Sequence, residues 1–153
     1  MARILLVDDD HDVRELGRAL LSHAGHETVL ADGAINALEI MRHTRFDILI
    51  TDANMPNLSG FDLLKLLKKE RRLQGLTVVM LTGNRQKENV RSAAVAGVHE
   101  YIVKPIDPIM FLKKVSSLLE KKPPREPTVS EFPSALLHVK AQVTVGVDIR
   151  SVS

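Results

Sequence analysis

The sequence predicts an α/β protein in which a five-stranded parallel sheet carries helices on both faces. The first observation is a set of short apolar runs without polar alternation, such as Ile48–Ile50 and Val78–Leu81. Such runs are typical of strands that are covered on both sides. The second is that these runs alternate along the chain with segments of helical periodicity, as in doubly wound folds. The third is that polar residues directly follow the strands, at the edge where α/β proteins place their ligands.

Five strands and five helices are predicted in alternation along the first 119 residues. The strands are Arg3–Val7, Glu27–Ala31, Phe46–Thr51, Thr77–Leu81 and Glu100–Val103. The helices are marked by Val13, Leu16, Leu20 and Leu21; by Ala34, Leu38 and Met41; by Phe61, Leu64 and Leu67 after Gly60; by Asn89–Ala96; and by Ile109–Leu119. Asp10 or a nearby acid is expected to cap the first helix, and Gly25 is expected to end it.

The composition excludes several classes of protein. The chain has 153 residues, enough for one domain with a real core, and its net charge of +2 gives no nucleic-acid footprint. Aromatic residues are only 3% of the chain, so base-stacking surfaces are not expected. Cysteine is absent, which removes disulfides, thiolate metal sites and cysteine nucleophiles. No apolar run has the length of a signal peptide or a membrane span, so we expect a cytoplasmic protein without membrane contact.

The composition changes after Leu119, which predicts three regions. Residues 1–120 form the α/β domain, and residues 121–127 (KKPPREP) form a charged, proline-rich linker. Residues 128–153 are an extension or the truncated start of an output domain, because the alternation in Ala135–Ile149 is enough for only one or two strands. A disordered remnant is a further interpretation of this region.

Five polar side chains follow four of the predicted strands. Asp8 and Asp9 follow the first strand, Asp52 the third, Thr82 the fourth and Lys104 the fifth. Each has an ordinary explanation as a helix cap, a turn residue or a surface lysine. Because the carboxyl ends of parallel strands meet at one edge, however, the set is expected to share one cleft.

The chemistry of this set points to phosphoryl transfer. Three clustered carboxylates repel one another, and a hard divalent cation such as Mg²⁺ suits oxygen ligands of this kind. A carboxylate beside such an ion is a competent nucleophile toward phosphorus, and the product is an aspartyl-phosphate. Lys104 can balance the charge of the transferred group, and the Thr82 hydroxyl can donate a hydrogen bond to it. The six histidines show no metal-ligand spacing.

Four ordered motifs resemble those of the response-regulator receiver domain, the CheY-like family of two-component phosphorelays. They are ILLVDDD (Ile4–Asp10), ILITDANMPNLSGFDLL (Ile48–Leu64), VVMLTG (Val78–Gly83) and YIVKP (Tyr101–Pro105). The resemblance covers residues 3 to about 119. It implies a flavodoxin-like sheet with the strand order 2-1-3-4-5.

The resemblance also implies a role for each site residue. Asp52 is the expected phosphoacceptor, and Asp8, Asp9, Asp52 and the backbone carbonyl of Asn54 are the expected ligands of Mg²⁺ or Mn²⁺. Lys104 and Thr82 would contact the phosphoryl group, and the peptide bond between Lys104 and Pro105 is expected to be cis. Thr82 and Tyr101 match the switch pair of the family. Asn54 and Asn84 occupy positions that tune dephosphorylation, and as amides neither offers a general base.

The partners follow from the same resemblance. A sensor histidine kinase or a histidine phosphotransfer protein would donate the phosphoryl group, with specificity carried by the first helix, Asp12–Ala24. The readout surface would be the fourth helix, fifth strand and fifth helix, residues 88–119, which is also the expected surface of a homodimer. The protein is predicted to be a signalling switch and not an enzyme beyond its own phosphorylation and slow dephosphorylation. Direct contact with nucleic acid is not expected.

Three alternatives stay open at the level of sequence. Residues 128–153 fit the first strand of a cyclic-dinucleotide-binding (PilZ-like) output domain. A receiver fold can also act as an interaction module that does not depend on phosphate. A haloacid-dehalogenase-type phosphohydrolase uses a nucleophile and a second acid two residues later, which is the spacing of Asp8 and Asp10, but this leaves Asp52 unexplained.

Overall fold

A computed structural model describes residues 1–83 and 97–121 of the chain. In chain order, the elements of these residues are β1 (Arg3–Val7), α1 (His11–His23), β2 (Glu27–Ala31), α2 (Ala34–His43), β3 (Ile48–Asp52), α3 (Gly60–Lys69), β4 (Thr77–Thr82), β5 (Glu100–Val103) and a last helix (Pro108–Lys121). The predicted helix Asn89–Ala96, the dephosphorylation position Asn84 and residues 122–153 lie outside the described residues.

The five strands form one parallel sheet in the order β2-β1-β3-β4-β5. The predicted fold class and strand order are therefore confirmed. The chain first adds β2 to one side of β1 and then places β3, β4 and β5 on the other side. This reversal opens a crevice outside the carboxyl ends of β1 and β3, where open α/β sheets bind ligands.

The apolar strands are buried because both faces of the sheet are covered. Successive side chains of a strand point to opposite faces, so Leu5 and Leu49 enter one core with α2 and α3, whereas Leu6 and Ile50 enter the other. Residues of α1 and of the last helix complete that second core. An apolar run without alternation is thus the expected sequence of a strand in this sheet.

The helix ends follow local rules that the sequence displays. Asp10 caps α1 as predicted, because its carboxylate accepts hydrogen bonds from the backbone N–H groups of Asp12 and Val13. Gly25 follows α1 with a φ of 89°, the left-handed conformation that glycine adopts without steric cost. Ser59 caps α3 in a reciprocal capping box with Asp62.

One apolar residue of the helical pattern in α1 faces solvent. Leu16 is 40% exposed, although it shares the helical spacing of Leu20 and Leu21. Gly17 faces the sheet in its place, and a Cβ added there would lie 2.4 Å from the Leu6 side chain. The close approach of α1 to β1 at this glycine turns Leu16 toward solvent.

Three strand ends also differ from the prediction. β3 begins at Ile48 and includes Asp52, and β4 includes Thr82. The ends are set by pairing with the neighbouring strands, since Asp52 lies opposite Leu81. None of the helices within residues 1–83 and 97–121 is long and apolar enough to cross a membrane.

Arg71 occupies a backbone conformation that suits glycine better. It follows α3 with a φ of 58°, and its N–H donates to the carbonyl of Lys68. Replacing Arg71 with glycine should raise the free energy of unfolding by about 0.5–1 kcal/mol, because a left-handed residue with a Cβ is strained. Urea denaturation would measure the change. The control Lys69→Gly lies within α3 and should instead lower stability by a similar amount. A loss of stability in Arg71→Gly would contradict the explanation.

Candidate functional site

The carboxyl edge of the sheet brings the predicted polar residues together. Asp8 directly follows β1, Asp52 ends β3, Thr82 ends β4, and Lys104 directly follows β5. The strands that carry them are paired in parallel from β1 through β3 and β4 to β5. The structure therefore gathers residues that lie far apart in the sequence into one site.

Asp8 is fully buried, and each of its polar groups has a partner. Its N–H donates to the carbonyl of Ala31, and its own carbonyl accepts a hydrogen bond of 2.7 Å from the Arg14 guanidinium. One carboxylate oxygen, Oδ1, accepts from the N–H of Asp10 at 2.9 Å. The other, Oδ2, lies 2.8 Å from the Lys104 ammonium in an ion pair. Asp8 is thus the most firmly fixed acid of the site.

Asp52 is also buried, with 5% of its surface exposed. Its Oδ1 accepts from the N–H of Asn54 at 3.2 Å, and its Oδ2 lies 3.3 Å from the Lys104 ammonium. Burial raises the pKa of Asp52 above its ordinary value, and the negative charge of Asp8 adds to the rise. The Asn54 hydrogen bond and Lys104 oppose the rise without cancelling it.

Lys104 is the cation that serves both buried acids. Its backbone N–H donates to the carbonyl of Thr82 at 2.7 Å, which fixes the start of its side chain at the end of β4. Burial lowers the pKa of Lys104, but the carboxylates of Asp8 and Asp52 outweigh burial and raise the pKa overall. The peptide bond from Lys104 to Pro105 is cis, as the sequence predicts.

Asp9 completes an acidic cluster with the two buried aspartates. One carboxylate oxygen from each of Asp8, Asp9 and Asp52 lies within 4.8 Å of the others. The Lys104 ammonium offsets one of the three negative charges and leaves two in excess. A divalent cation would supply the missing charge, and an all-oxygen ligand set suits Mg²⁺ or Mn²⁺. Asp8 Oδ2 is buried and meets Lys104 as an ion pair without an aligned hydrogen bond, so it can also face such an ion.

Asp9 differs from the other two acids because it is exposed. It borders a cleft of about 250 Å³ between the start of α2 and the loop before α3. Acidic Asp32 and apolar Pro56 also line this cleft. Asp9 is therefore the acid of the cluster that solvent and ions can reach directly.

Thr82 and Tyr101 lie on the β4–β5 side of the site. Thr82 is fully buried at the end of β4. Tyr101 pairs with Met80 across the two strands and is partly buried against the core that α2 and α3 share. Burial raises the pKa of the Tyr101 hydroxyl. The two side chains thus lie on adjacent strands of the sheet.

The structure separates Asp10 from the acids of the site. The Asp10 carboxylate caps α1, while the acidic cluster consists of Asp8, Asp9 and Asp52. A phosphohydrolase that used Asp8 and Asp10 would need both acids at the reacting group. The cap therefore removes the observation that favoured this alternative.

Sequence reasoning missed how closely Gly60 approaches the site. A Cβ on Gly60 would lie 2.3 Å from the backbone oxygen of Asp52, and the Gly60 N–H donates to the carbonyl of Ala53. The first turn of α3 thus supports the backbone of Asp52. The sequence showed Gly60 only as a helix start, since a contact with backbone atoms leaves no pattern in side-chain types.

Comparison with known proteins gives a consistent result. Residues 4–116 match the response regulator receiver domain family. The chemotaxis protein CheY of Pseudomonas aeruginosa is 36% identical over 120 residues, covering 78% of this chain and 97% of the relative. Chemotaxis protein CheY-3 of Vibrio cholerae is 37% identical over the same share of this chain and 92% of its own length. The solved structure of Vibrio cholerae CheY4 superposes with a TM-score of 0.73 at 31% identity, covering 76% of this chain and 98% of that one.

Gly60→Ala should damage the site through the backbone. The added methyl group would force α3 or the Asp52 carbonyl to move, so we expect a loss of about 1–3 kcal/mol in the free energy of unfolding. Urea denaturation would measure it. Gly33→Ala is the matched control, because nothing lies within 4 Å of a Cβ at Gly33. Equal stability of the two variants would show that α3 does not press on Asp52.

Asp52→Asn should raise the free energy of unfolding at neutral pH by about 0.5–2 kcal/mol. Replacing a functional residue whose charge opposes folding usually has an effect of this kind. The folded state raises the pKa of Asp52, so its ionised form opposes folding above that raised pKa. The advantage of asparagine should disappear as the pH falls below 3.8, the ordinary value, where aspartate is neutral in both states. Denaturation of both proteins across this pH range would test the sign, and a destabilised Asp52→Asn at neutral pH would contradict it.

Proposed function

Because this chain belongs to the response regulator receiver family, we propose that it is a phosphorylation switch of a two-component phosphorelay. Asp52 accepts the phosphoryl group from a phosphohistidine on a sensor histidine kinase or a histidine phosphotransfer protein. The observation that carries the proposal is the position of Asp52, at the end of a buried strand within reach of two further acids and a lysine. This combination has no structural need, since buried like charges oppose folding.

The reaction transfers one phosphoryl group between two side chains. A carboxylate oxygen of Asp52 forms a bond to phosphorus as the bond between phosphorus and the donor imidazole nitrogen breaks. The bonding electrons leave with the imidazole, which ends as neutral histidine after taking up a proton. Asp52 must be ionised to attack, and its contact with Lys104 supports that form despite burial.

Asp8, Asp9, Asp52 and the backbone carbonyl of Asn54 would hold the divalent cation. When bound, Mg²⁺ or Mn²⁺ neutralises the acids and the transferring phosphoryl oxygens. Lys104 already lies between Asp8 and Asp52, so its ammonium can follow the developing negative charge on the phosphoryl group. Thr82 at the end of β4 supplies a hydroxyl on the same edge.

The switch is a change in balance between two conformations of the β4–β5 side. A phosphoryl group adds about 1.5–2 negative charges at Asp52. Thr82 moves toward this group, and the Tyr101 ring turns inward into the space that the hydroxyl leaves. The altered surface comprises residues 88–119, of which 97–119 are among the described residues, and it binds the downstream partner or a second copy of the chain.

The protein acts as a switch and does not turn over substrate. Its catalysis is limited to its own phosphorylation and slow dephosphorylation, since the amide of Asn54 offers no general base beside Asp52. The rival proposal is a receiver fold that signals without phosphate. The acidic cluster argues against it, because an interaction module gains nothing from the repulsion of three carboxylates.

Intact mass spectrometry tests the proposal directly. After incubation with Mg²⁺ and acetyl phosphate, the wild-type chain should gain one phosphoryl group. The gain should be absent in Asp52→Asn and absent when a chelator removes the metal. Asp32→Asn is the matched control, because Asp32 follows β2 at the same edge without belonging to the acidic cluster. It should be phosphorylated like the wild type.

The contrary outcomes are distinct. A wild-type chain that takes up no phosphate, from either acetyl phosphate or a histidine kinase, would favour the phosphate-independent module. Uptake that persists in Asp52→Asn would place the acceptor elsewhere.

Phosphorylation should also change the environment of Tyr101 and the assembly state. The chain has one tyrosine and no tryptophan, so its tyrosine emission reports on Tyr101 alone. Acetyl phosphate with Mg²⁺ should shift this emission and increase the sedimentation coefficient toward that of a dimer. Thr82→Ala should accept phosphate but show a much smaller shift in both signals. Unchanged emission and sedimentation in a fully phosphorylated wild type would contradict the proposed switch.

A further inference from the structure

Arg14 contacts the acidic cluster through the backbone. It lies in the first turn of α1, partly buried, and its guanidinium donates a 2.7 Å hydrogen bond to the carbonyl of Asp8. Arg14 is thereby tied to the site without being a ligand, a nucleophile or a partner of any carboxylate in it. A hydrogen bond with an ionised donor is stronger than one between neutral groups.

The Asp8 carbonyl belongs to the peptide that joins Asp8 to Asp9. Because a peptide unit is planar, a donor that holds the carbonyl also fixes the direction in which the chain enters Asp9. The Asp10 N–H and the Asp8 carboxylate hold the same turn from the other side at 2.9 Å. Arg14 is therefore the one side chain, among the described residues, that donates to this peptide.

The position of Asp9 needs such support. Asp8 and Asp52 are held by burial and by Lys104, whereas Asp9 is exposed and has no ion pair within the described part of the chain. Repulsion from the two buried carboxylates favours a turn of the backbone that would carry Asp9 out into solvent. The Arg14 hydrogen bond opposes that turn, because rotation of the peptide would break it.

We propose that Arg14 is a positioning residue for the acidic cluster: by holding the Asp8 carbonyl it keeps Asp9 beside Asp8 and Asp52, and divalent-cation affinity depends on it. The effect of Arg14 on phosphoryl uptake rests on the function proposed above, whereas its effect on metal binding does not. Groups that orient metal ligands without touching the metal typically change affinity by 10–100-fold when they are removed.

Two other roles for Arg14 predict different results. A cation near the acids acts at a distance through its charge and should disfavour the binding of a second cation, so its removal would strengthen metal binding. A hydrogen bond that only fastens α1 to the end of β1 would affect stability and leave metal affinity unchanged in protein that remains folded. The positioning role alone predicts weaker metal binding in a folded variant.

Direct metal titration separates these roles. We would titrate the full chain with Mn²⁺ and follow free Mn²⁺ by electron paramagnetic resonance, with Mg²⁺ as a competitor. The variants are Arg14→Met, which keeps the aliphatic length, Arg14→Lys, which keeps a donor and the charge, and Arg18→Met. Arg18 is the matched control, since it lies one turn further along α1, about 6 Å from Arg14, and pairs with exposed Glu15.

Arg14→Met should bind Mn²⁺ and Mg²⁺ at least tenfold more weakly than the wild type, Arg14→Lys should recover much of that loss, and Arg18→Met should bind within about twofold of the wild type. With acetyl phosphate, Arg14→Met should need correspondingly more Mg²⁺ for half-maximal phosphorylation while its rate at saturating Mg²⁺ changes far less. Unchanged or tighter metal binding in folded Arg14→Met would overturn the proposal, as would an equal loss in Arg18→Met.

Circular dichroism at each titration temperature would establish that the variants are folded. Should Arg14→Met be unfolded, Arg14→Gln decides, because its amide can donate one hydrogen bond without carrying charge: affinity near that of the wild type supports positioning, and tighter binding overturns it. A wild-type chain that binds Mg²⁺ but takes up no phosphate would remove the proposed function and leave the role of Arg14 in metal binding intact.

Discussion

The contact of Lys104 with two buried carboxylates is the constraint on which the carboxyl edge of the sheet depends. Without a cation, two carboxylates buried next to each other would be held together against desolvation and mutual repulsion, and Lys104 supplies the opposing charge to both. Lys104 follows β5, whereas Asp8 follows β1, and the strands β3 and β4 lie between these two in the sheet. The ion pairs therefore require the whole order from β1 to β5, and the hydrogen bond from Lys104 to the Thr82 carbonyl holds the lysine at the correct height.

Much of the fold could be predicted because the sheet leaves a direct record in the sequence. Residues such as Leu49 and Ile50 face opposite cores, so the strand needs an uninterrupted apolar run, and such a run is easily recognised. The ends of the strands were harder to predict from the sequence. Asp52 and Thr82 belong to their strands through pairing with neighbours, which local sequence does not show. The exposure of Leu16 is not evident from the sequence for a similar reason, since the close approach of α1 at Gly17 depends on the packing of two elements.

The residues of the site also differ in how far the sequence reveals them. Its acids and its lysine could be identified because chemistry needs those side-chain types, and parallel topology fixes which edge they share. Gly60 and Arg14 could not be identified, since each acts on backbone atoms, at Asp52 and Asp8 respectively. A backbone oxygen is present at every residue, so nothing in the sequence distinguishes the one that is contacted. The support of a site is therefore harder to infer from sequence than its reacting groups.

The charge of the site also indicates which strands would respond to a phosphoryl group under the proposed function. Asp8, Asp9 and Asp52 with Lys104 retain two negative charges in excess, which one divalent cation would cancel. Under the proposed function, phosphoryl transfer then adds negative charge that only groups able to move can meet. The polar atoms of Asp8 have partners, and Gly60 packs α3 against the Asp52 backbone, so these contacts would have to break for the β1 and β3 side to move. Among the described residues, Lys104 directly follows β5 and Thr82 ends β4, so both lie on the β4–β5 side of the site. If the proposed function holds, we therefore expect the response to phosphate to pass through β4 and β5 toward Tyr101 and the last helix, because Lys104 and Thr82 lie on that side of the site.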